Sequence, residues 1–272
     1  MLRLELIRQL KRTGVRPDRD LGQNFLVNPS ISSRIAAALP SNCSVLEIGP
    51  GMGALTEKLI SVSGSLTCVE ISSRMYRYLE DRFADRNIHF VNDDILKTDP
   101  SALPGYPFQA VAGNLPYSIS SPILFRLIED AFSHVETAVV MLQREVARRL
   151  AALEGGRDYG KLSLQIWPVF QVEVLLDASP EDFHPAPDVH SRVVILRRRP
   201  RPLVSGQVYV RFRRVVKVAF AMRRKTILNN LRTMMKKDEA LGILRDAGID
   251  PGQRAEQLPP KAFIRLAEVM YR

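Results

Sequence analysis

Four consecutive residues, Asn114-Leu115-Pro116-Tyr117, bring together a primary amide, a backbone carbonyl, a stiff proline and an aromatic ring. That set suits one chemical problem. An amino group on a heteroaromatic ring has its lone pair delocalised into the ring and is a poor nucleophile. A catalyst must hold the group so that the pair points at an electrophilic methyl. The Asn114 side-chain oxygen and the Leu115 carbonyl are the two acceptors for its N–H bonds, and Pro116 stiffens the turn. The Tyr117 ring can stack on a planar substrate, which is worth about 1–3 kcal/mol for a base on an aromatic side chain. In-line methyl transfer then relies on positioning and electrostatics rather than on a strongly perturbed base. The plain alternative is a strand-ending turn with no chemistry.

A second group of residues reads as a cofactor site. Glu47-Ile48-Gly49-Pro50-Gly51-Met52-Gly53 stands where a strand meets a helix, and its glycines permit a tight turn and close backbone approach to a ligand. The spacing is G-x-G-x-G rather than the dinucleotide G-x-G-x-x-G, and such turns also occur for structural reasons alone. Glu70, 21 residues after Gly49, ends the next strand. A carboxylate there accepts from ribose hydroxyls, which also fits NAD. Asp94 ends the third strand and can accept from an adenine amino group or simply cap a helix. Gly49, Gly51, Glu70 and Asp94 thus share the carboxyl edge of a sheet with Asn114, and with the amino-methylation turn beside them the cofactor reads as S-adenosylmethionine.

Phe183-His184-Pro185-Ala186-Pro187-Asp188-Val189-His190-Ser191 holds two prolines one residue apart, which keep the chain extended. Phe183 is then either the second wall of a base sandwich, for a base taken out of its stack, or a core residue beside a Pro-rich loop. Both fit the residues equally.

Positioning these groups requires alternating strands and helices. Strand-like runs lie at Ser44–Ile48, Ser65–Ile71, Ile88–Asn92, Phe108–Gly113 and Thr137–Leu142. Asn28-Pro29 signals a cap followed by proline at the first helical position, with Ile31, Ile35 and Leu39 on one face. Ser72 or Ser73 caps a helix carrying Met75, Leu79 and Phe83. Ser121-Pro122 repeats the cap-plus-proline signal before Ile123, Leu124, Leu127 and Ile128. This alternation predicts a doubly wound α/β sheet. Leu162–Leu176 and Arg192–Leu196 read as two further strands that close it in hairpin fashion. Arg197–Pro202 reads as a linker, and the remaining pattern is helical. The expected fold is therefore α/β, a Rossmann-like methyltransferase domain over residues 1–198 and a small basic helical domain over 199–272.

Charge separates these two parts. Fourteen lysines and arginines and no acid lie between Arg197 and Lys237, while the other 25 of the 39 basic residues face 29 acids. A block of one sign attracts polyanions, and each neutralised phosphate releases counterions. Such a block can also be a solubilising face or disordered, but apolar residues interleave it (Val208, Phe212, Val215, Val216, Phe220, Ile227, Leu231), which favours a folded basic surface that binds nucleic acid. No apolar run approaches the roughly 18 residues that span a bilayer, and Met1-Leu2-Arg3-Leu4-Glu5 lacks a signal-peptide core, so a cytoplasmic protein is expected. Cys43 and Cys68 read as buried thiols. His184 and His190 have no cysteine near them, so no metal site is expected.

Together these residues resemble the ribosomal RNA adenine dimethyltransferases of the small subunit. The likeness runs from about Leu21 to the C-terminus. It rests on Leu21-Gly22-Gln23-Asn24-Phe25-Leu26, Glu47–Thr56, Asp94, Asn114–Tyr117, Phe183-x-Pro-x-Pro-x-Val-x-Ser191 and Phe220-Ala-Met-Arg-Arg-Lys-Thr226. The resemblance implies a Rossmann-like domain with a small all-helical C-terminal domain. It implies conversion of two adjacent adenosines near the 3′ end of small-subunit (16S) rRNA to N6,N6-dimethyladenosine, late in assembly of that subunit. The partners expected are the small ribosomal subunit and its rRNA, met by a monomer. The resemblance also implies cofactor contacts from Asn24, Leu26, Gly49, Glu70, Asp94 and Asn114, base contacts from Asn114, Leu115, Tyr117 and Phe183, and phosphate contacts from Arg223, Arg224 and Lys225. One departure is Asp18-Arg19-Asp20, more acidic than the basic run associated with the family there.

Other readings share some of these features. Large-subunit adenine methyltransferases of the macrolide-resistance type resemble the chain in the glycine turn and in Asn-x-Pro-Tyr, but the two later motifs favour the small-subunit class. Protein glutamine methyltransferases also use an Asn-Pro-Pro-Tyr turn, and the acid-free basic block argues against a peptide substrate. A dehydrogenase is disfavoured by the glycine spacing. A mainly non-catalytic assembly checkpoint factor would need none of Asn114, Glu70 and Gly49.

Overall fold

The computed structural model describes residues 3–14, 17, 23–153 and 155–271. Asp18-Arg19-Asp20 and Leu21-Gly22 lie outside the described residues. The strands, in chain order, are β1 (Phe25–Leu26), β2 (Ser44–Ile48), β3 (Ser65–Val69), β4 (His89–Val91), β5 (Ala110–Asn114), β6 (Thr137–Gln143), β7 (Phe170–Ala178), β8 (Phe183–His184) and β9 (Ser191–Arg198). Seven of them form one sheet in the order β4-β3-β2-β5-β6-β9-β7. From β4 to β6 all pairs are parallel, and β9 runs antiparallel to β6. The strands β5 and β6 read as unbroken apolar runs because both of their faces are covered. The strand order turns around at β2, which has β3 on one side and β5 on the other. This brings the carboxyl ends of β2, β3 and β5 to one crevice, the place where open α/β sheets bind ligands.

The covering helices of this part are α1 (Arg3–Thr13), α2 (Pro29–Ala37), α3 (Thr56–Leu59), α4 (Ser73–Arg82) and α5 (Ser120–Arg126). The α2 start is as expected: the Asn28 side chain accepts from the Ser30 amide at 3.0 Å with Pro29 following, and Ile31, Ile35 and Leu39 are buried. Ser72 holds the cap position of α4, whose Met75 and Leu79 are buried with Phe83. Each such burial contributes roughly 1.5–3 kcal/mol. Leu6 and Leu10 of α1 join the same cluster with Phe25 and Met52, so the N-terminal helix braces the glycine turn.

Three sequence expectations are corrected. Ser121 does not cap α5; the helix starts at Ser120 with Ile119 in the cap position. The chain is already winding there, since the Ile119 amide donates to the Pro116 carbonyl, and Pro122 falls where a helix needs no N–H donor. Leu162–Leu176 is not one strand. After α6 (Arg144–Ala151), residues Lys161–Ile166 form α7, and β7 begins only at Phe170. Leu162-Ser163-Leu164-Gln165 alternates like a strand, but the Ser163 hydroxyl bonds both the amide and the carbonyl of Gly160, and Leu164 enters a helical core. Arg197 and Arg198 belong to β9, not to a linker; the Arg198 guanidinium ties the strand end to the carbonyls of Leu127, Phe132 and Val135.

The chain divides into two compact units, one of residues up to Ala147 with Val172–Arg198, the other of Arg148–Gln171 with Arg199 onward. In this division residues 148–171 lie with the helical unit. That second unit holds α7, α8 (Gly206–Ala219), α9 (Ile227–Leu231), α10 (Lys237–Asp246) and α11 (Pro260–Met270). Its core includes Tyr159, Phe212, Val216, Phe220, Leu231 and Phe263, with the Tyr159 and Phe220 rings edge to face. Both cysteines are free and buried. Among the described residues no helix is long and apolar enough to cross a membrane.

Candidate active site

A cavity of about 180 Å³ opens at the carboxyl ends of β2, β3 and β5. Gly49 and Gly51 of the glycine turn line it, together with Asn24, Glu70, Asp94 and the Asn114–Tyr117 turn. Thus segments separated in sequence by up to 90 residues meet at one sheet edge. Ile71, Met75, Ile95 and Leu96 give the cavity apolar walls, which the motif reading did not single out.

All three glycines of the turn have left-handed φ, and at two of them a Cβ would also press on a ring. Gly51 has φ +57°, and a Cβ there would stand 3.1 Å from the Phe25 ring. Gly53 has φ +79°, and its Cβ would meet the Phe83 ring at 2.7 Å, inside contact distance. Glu47 bridges the turn: its Oε2 accepts from the Thr56 hydroxyl at 2.6 Å and from the Cys68 thiol at 3.4 Å. Burial pushes the Glu47 carboxyl up to about 7, against the Thr56 and Cys68 hydrogen bonds, with the Glu70 charge adding to the rise. This brace was missed in the sequence, where Glu47 is only the first letter of a glycine motif.

Glu70 is 3% exposed. One carboxylate oxygen accepts from the Gly51 amide at 3.1 Å and the other from the Ser72 amide at 2.9 Å. It therefore fixes the glycine turn to the start of α4 and still faces the cavity. Burial raises its pKa, and the amides of Ser72, Gly51 and Ile71 oppose the shift. Asp94 accepts from the Leu96 amide at 2.9 Å and pairs with Lys97 at 3.4 Å. It caps a turn and also lines the cavity.

Several groups of the Asn114–Tyr117 turn are tied down. Asn114 Nδ2 donates to the Asn24 carbonyl at 2.8 Å. With its donor side engaged, the amide has its oxygen as the group to offer a substrate amine. The Leu115 amide donates to the Met141 carbonyl at 3.2 Å, and the Leu115 side chain is buried. The Pro116 carbonyl accepts from Ile119 and the Tyr117 carbonyl from the Ser120 hydroxyl. The Tyr117 hydroxyl lies 2.6 Å from Ser191 Oγ. Asn24 and Ser191 come from two of the other motifs, and nothing in their spacing showed that they hold this turn.

Two expected site residues lie elsewhere. Phe183 is fully buried and does not line the cavity. Its strand β8 pairs with β1, Leu26 opposite Phe183, and both side chains belong to the core with Ala178 and Val193. The reading of Phe183 as a stacking wall is corrected accordingly: a ring shut into the core has no face to offer a base. Leu26 likewise does not line this cavity and lines a small cleft beside Gly49, Gly51 and Asn114.

In the second unit, the Phe220–Thr226 motif becomes a loop between α8 and α9. Phe220 enters the core and Thr226 caps α9 by accepting from the Asn229 amide. Asn230, fully buried, accepts from the Met222 amide and donates to the carbonyls of Met222 and Thr226. Arg224 and Lys225 are exposed. Arg223 is partly committed within its unit, donating to the carbonyls of Arg157 and Tyr159 and to Glu256 at 3.1 Å.

A parallel sheet that reverses order at β2, a glycine turn braced by two buried carboxylates, and an amide-bearing turn across the same cavity define a Rossmann-like methyltransferase. Comparison with known proteins narrows the class. The family model described as ribosomal RNA adenine dimethylase matches residues 15–271. The chain is 40% identical over 266 residues to the ribosomal RNA small subunit methyltransferase A of Myxococcus xanthus, covering 96% of this chain and 93% of that one. It is 38% identical over 265 residues to the protein of the same name from Bacillus thuringiensis, covering 93% and 90%. Among solved structures it is similar to the 23S rRNA methyltransferase ErmE, with TM-score 0.71, 31% identity, and 92% of this chain and all of that one covered. It is also similar to a dimethyladenosine transferase from Plasmodium falciparum, with TM-score 0.75, 27% identity and coverage of 89% and 95%. The chain belongs to the ribosomal RNA adenine dimethylase family.

Proposed function

We propose that this enzyme methylates the N6 amino groups of two adjacent adenosines near the 3′ end of small-subunit rRNA, giving N6,N6-dimethyladenosine, with S-adenosylmethionine as donor. The reading places it in the cytoplasm as a monomer acting on the small ribosomal subunit late in its assembly. The observation that carries it is the bond from Asn114 Nδ2 to the Asn24 carbonyl, which leaves the Asn114 oxygen as acceptor for the target amine.

The cavity suits the donor. Glu70 offers a buried carboxylate for ribose hydroxyls, the wall of Ile71, Ile95 and Leu96 suits a purine, and Asp94 stands where a purine amino group can donate. Gly49 and Gly51 allow close backbone approach, and Asn24, just before β1, lines the cavity, with Leu26 behind it. When bound, the donor supplies an electrophilic methyl on a sulfonium. The protein's part is to hold the amine. Asn114 and the Leu115 carbonyl accept its two N–H bonds, which draws the nitrogen lone pair out of conjugation. Pro116 keeps that carbonyl in place, and Tyr117 stacks on the base. The amine becomes acidic only as its new bond to carbon forms, so its proton can leave to water without a dedicated base. Phe183 supports the site from the core. Arg224 and Lys225, with the remaining charge of Arg223, contact rRNA phosphates.

Mass spectrometry of both rRNAs after incubation of unmethylated subunits with the enzyme and labelled donor tests this reading. Dimethyladenosine at two neighbouring 3′-end positions of the small-subunit rRNA is expected. Methylation confined to the large-subunit rRNA would replace it with the resistance-type activity, which the similarity to ErmE favours. Tight subunit binding with no methyl incorporated would favour a checkpoint factor.

A further inference from the structure

Stacking on a base needs an aromatic face, and phenylalanine has one. Tyr117 nevertheless carries a hydroxyl, and that hydroxyl has a dedicated partner 2.6 Å away in Ser191 Oγ. Ser191 is fully buried and opens β9. The ladder with β6, which runs from Thr137 opposite Arg197 to Gln143 opposite Ser191, fixes its backbone. At its other end the preceding segment is fixed by the pairing of β8 with β1. The Tyr117 ring is thus held at two points: its Cα sits on the catalytic turn after β5 and its tip is bonded to the first residue of β9, two strands away in the sheet. A ring free at its tip samples several staggered side-chain orientations. One held at both ends does not.

We propose that Ser191 is a positioning residue for methyl transfer: its hydroxyl fixes the plane of the Tyr117 ring, and with it the plane of the target base. This rests on the reading of Tyr117 as the stacking wall. Burial raises the Tyr117 phenol pKa, so the pair stays neutral across the working range and should act as an orienting bond rather than a proton path. It also gives the last residue of the Phe183–Ser191 motif a task that Phe183, shut in the core, does not perform.

The test is a double-mutant cycle on full-length enzyme with unmethylated small subunits. Ser191→Ala should lower kcat roughly 3- to 10-fold, the worth of one neutral hydrogen bond, while KM for subunit and donor changes by less than about two-fold. Tyr117→Phe should reproduce that loss, and the double variant should be no worse than either single one. Multiplying losses in the double variant would overturn the proposal, as would full kcat in Ser191→Ala or in Tyr117→Phe. If Ser191→Ala fails to fold, Tyr117→Phe removes the same bond from the other side. Tyr117→Ala separates the two levels: with the stack gone as well it should lose roughly 10- to 100-fold. Near-normal activity there would sink the stacking reading itself, whereas a collapse there with normal Ser191→Ala would sink only the role of Ser191.

Discussion

The glycine turn of the first unit is bridged by the buried side chain of Glu47, and the basic loop of the second by the buried side chain of Asn230. Glu47 reaches across the turn to Thr56. Asn230 bonds the amide and carbonyl of Met222 and the carbonyl of Thr226. The braces are alike, but what they hold differs. The turn presents backbone and a few polar atoms to a cavity, where function depends on position to a fraction of an ångström. The loop carries Arg224 and Lys225 into solvent, where charge acts through counterion release and tolerates motion. Substitutions at the cavity should therefore act on turnover and be severe. Substitutions on the loop should act on binding, be graded and vanish in salt.

The sharpest contrast is at Asn114. Asn114→Ala removes one of the two acceptors for the amine, and kcat should fall by about 10²–10³, as for loss of one transition-state hydrogen-bonding group. Affinity for the small subunit should stay within about two-fold. Single-turnover methylation beside a filter-binding isotherm checks both, and a variant that lost binding in step with turnover would erase the distinction drawn above. Next comes Glu70→Ala. Loss of a charged acceptor for ribose hydroxyls, worth about 1.5–3 kcal/mol, should weaken donor binding roughly 10- to 100-fold by calorimetry. The loop variant Arg224→Ala with Lys225→Ala should weaken subunit binding less, and most clearly at low salt. The slope of log K against log salt should flatten by about 1.4–1.8 for two phosphates. An unchanged slope would put the RNA face elsewhere.

The two regions also differed in how far the sequence revealed them. Strand ends in the first unit were readable because parallel strands buried on both faces are continuous apolar runs, so Gly49, Glu70, Asp94 and Asn114 could be placed at one edge. The bonds that hold them were hidden. Asn24 and Asn114 are 90 residues apart and Tyr117 and Ser191 are 74, and no local pattern encodes a partner at that range. Phe183 shows the opposite failure: its residues left a base wall and a core position equally open and the family resemblance implied a base contact, while pairing with Leu26 put the ring in the core. In the second unit the charge block was obvious, yet charge alone does not show that Arg223, exposed like Arg224, spends hydrogen bonds on Tyr159 and Glu256. The alternating Leu162–Ile166 stretch misled because a short helix and a strand can share that pattern until tertiary packing decides.

The braces give the smallest effect and the most direct test of the comparison, because one of them titrates and the other does not. The Glu47 carboxyl sits near 7 in the folded protein against 4.5 ordinarily. The folded state therefore keeps a proton that the unfolded chain releases first. The stability this contributes is complete below about pH 4.5 and is lost as pH rises through about 7. Glu47→Gln keeps a neutral side chain of the same shape at every pH. The melting temperature of the native protein, relative to Glu47→Gln, should thus decline by a few degrees between about pH 5 and 7.5. The burial-raised Glu70 carboxyl contributes a slope of the same sign, but it remains in both proteins and largely cancels in the difference. Asn230→Ala should lower the melting temperature equally at both ends of that range, because an amide carries no proton to lose. A flat difference for Glu47→Gln would mean that the carboxyl is ionised throughout, and the glycine turn would then rest on a buried charge, not on a neutral hydrogen-bonded brace like that of the basic loop.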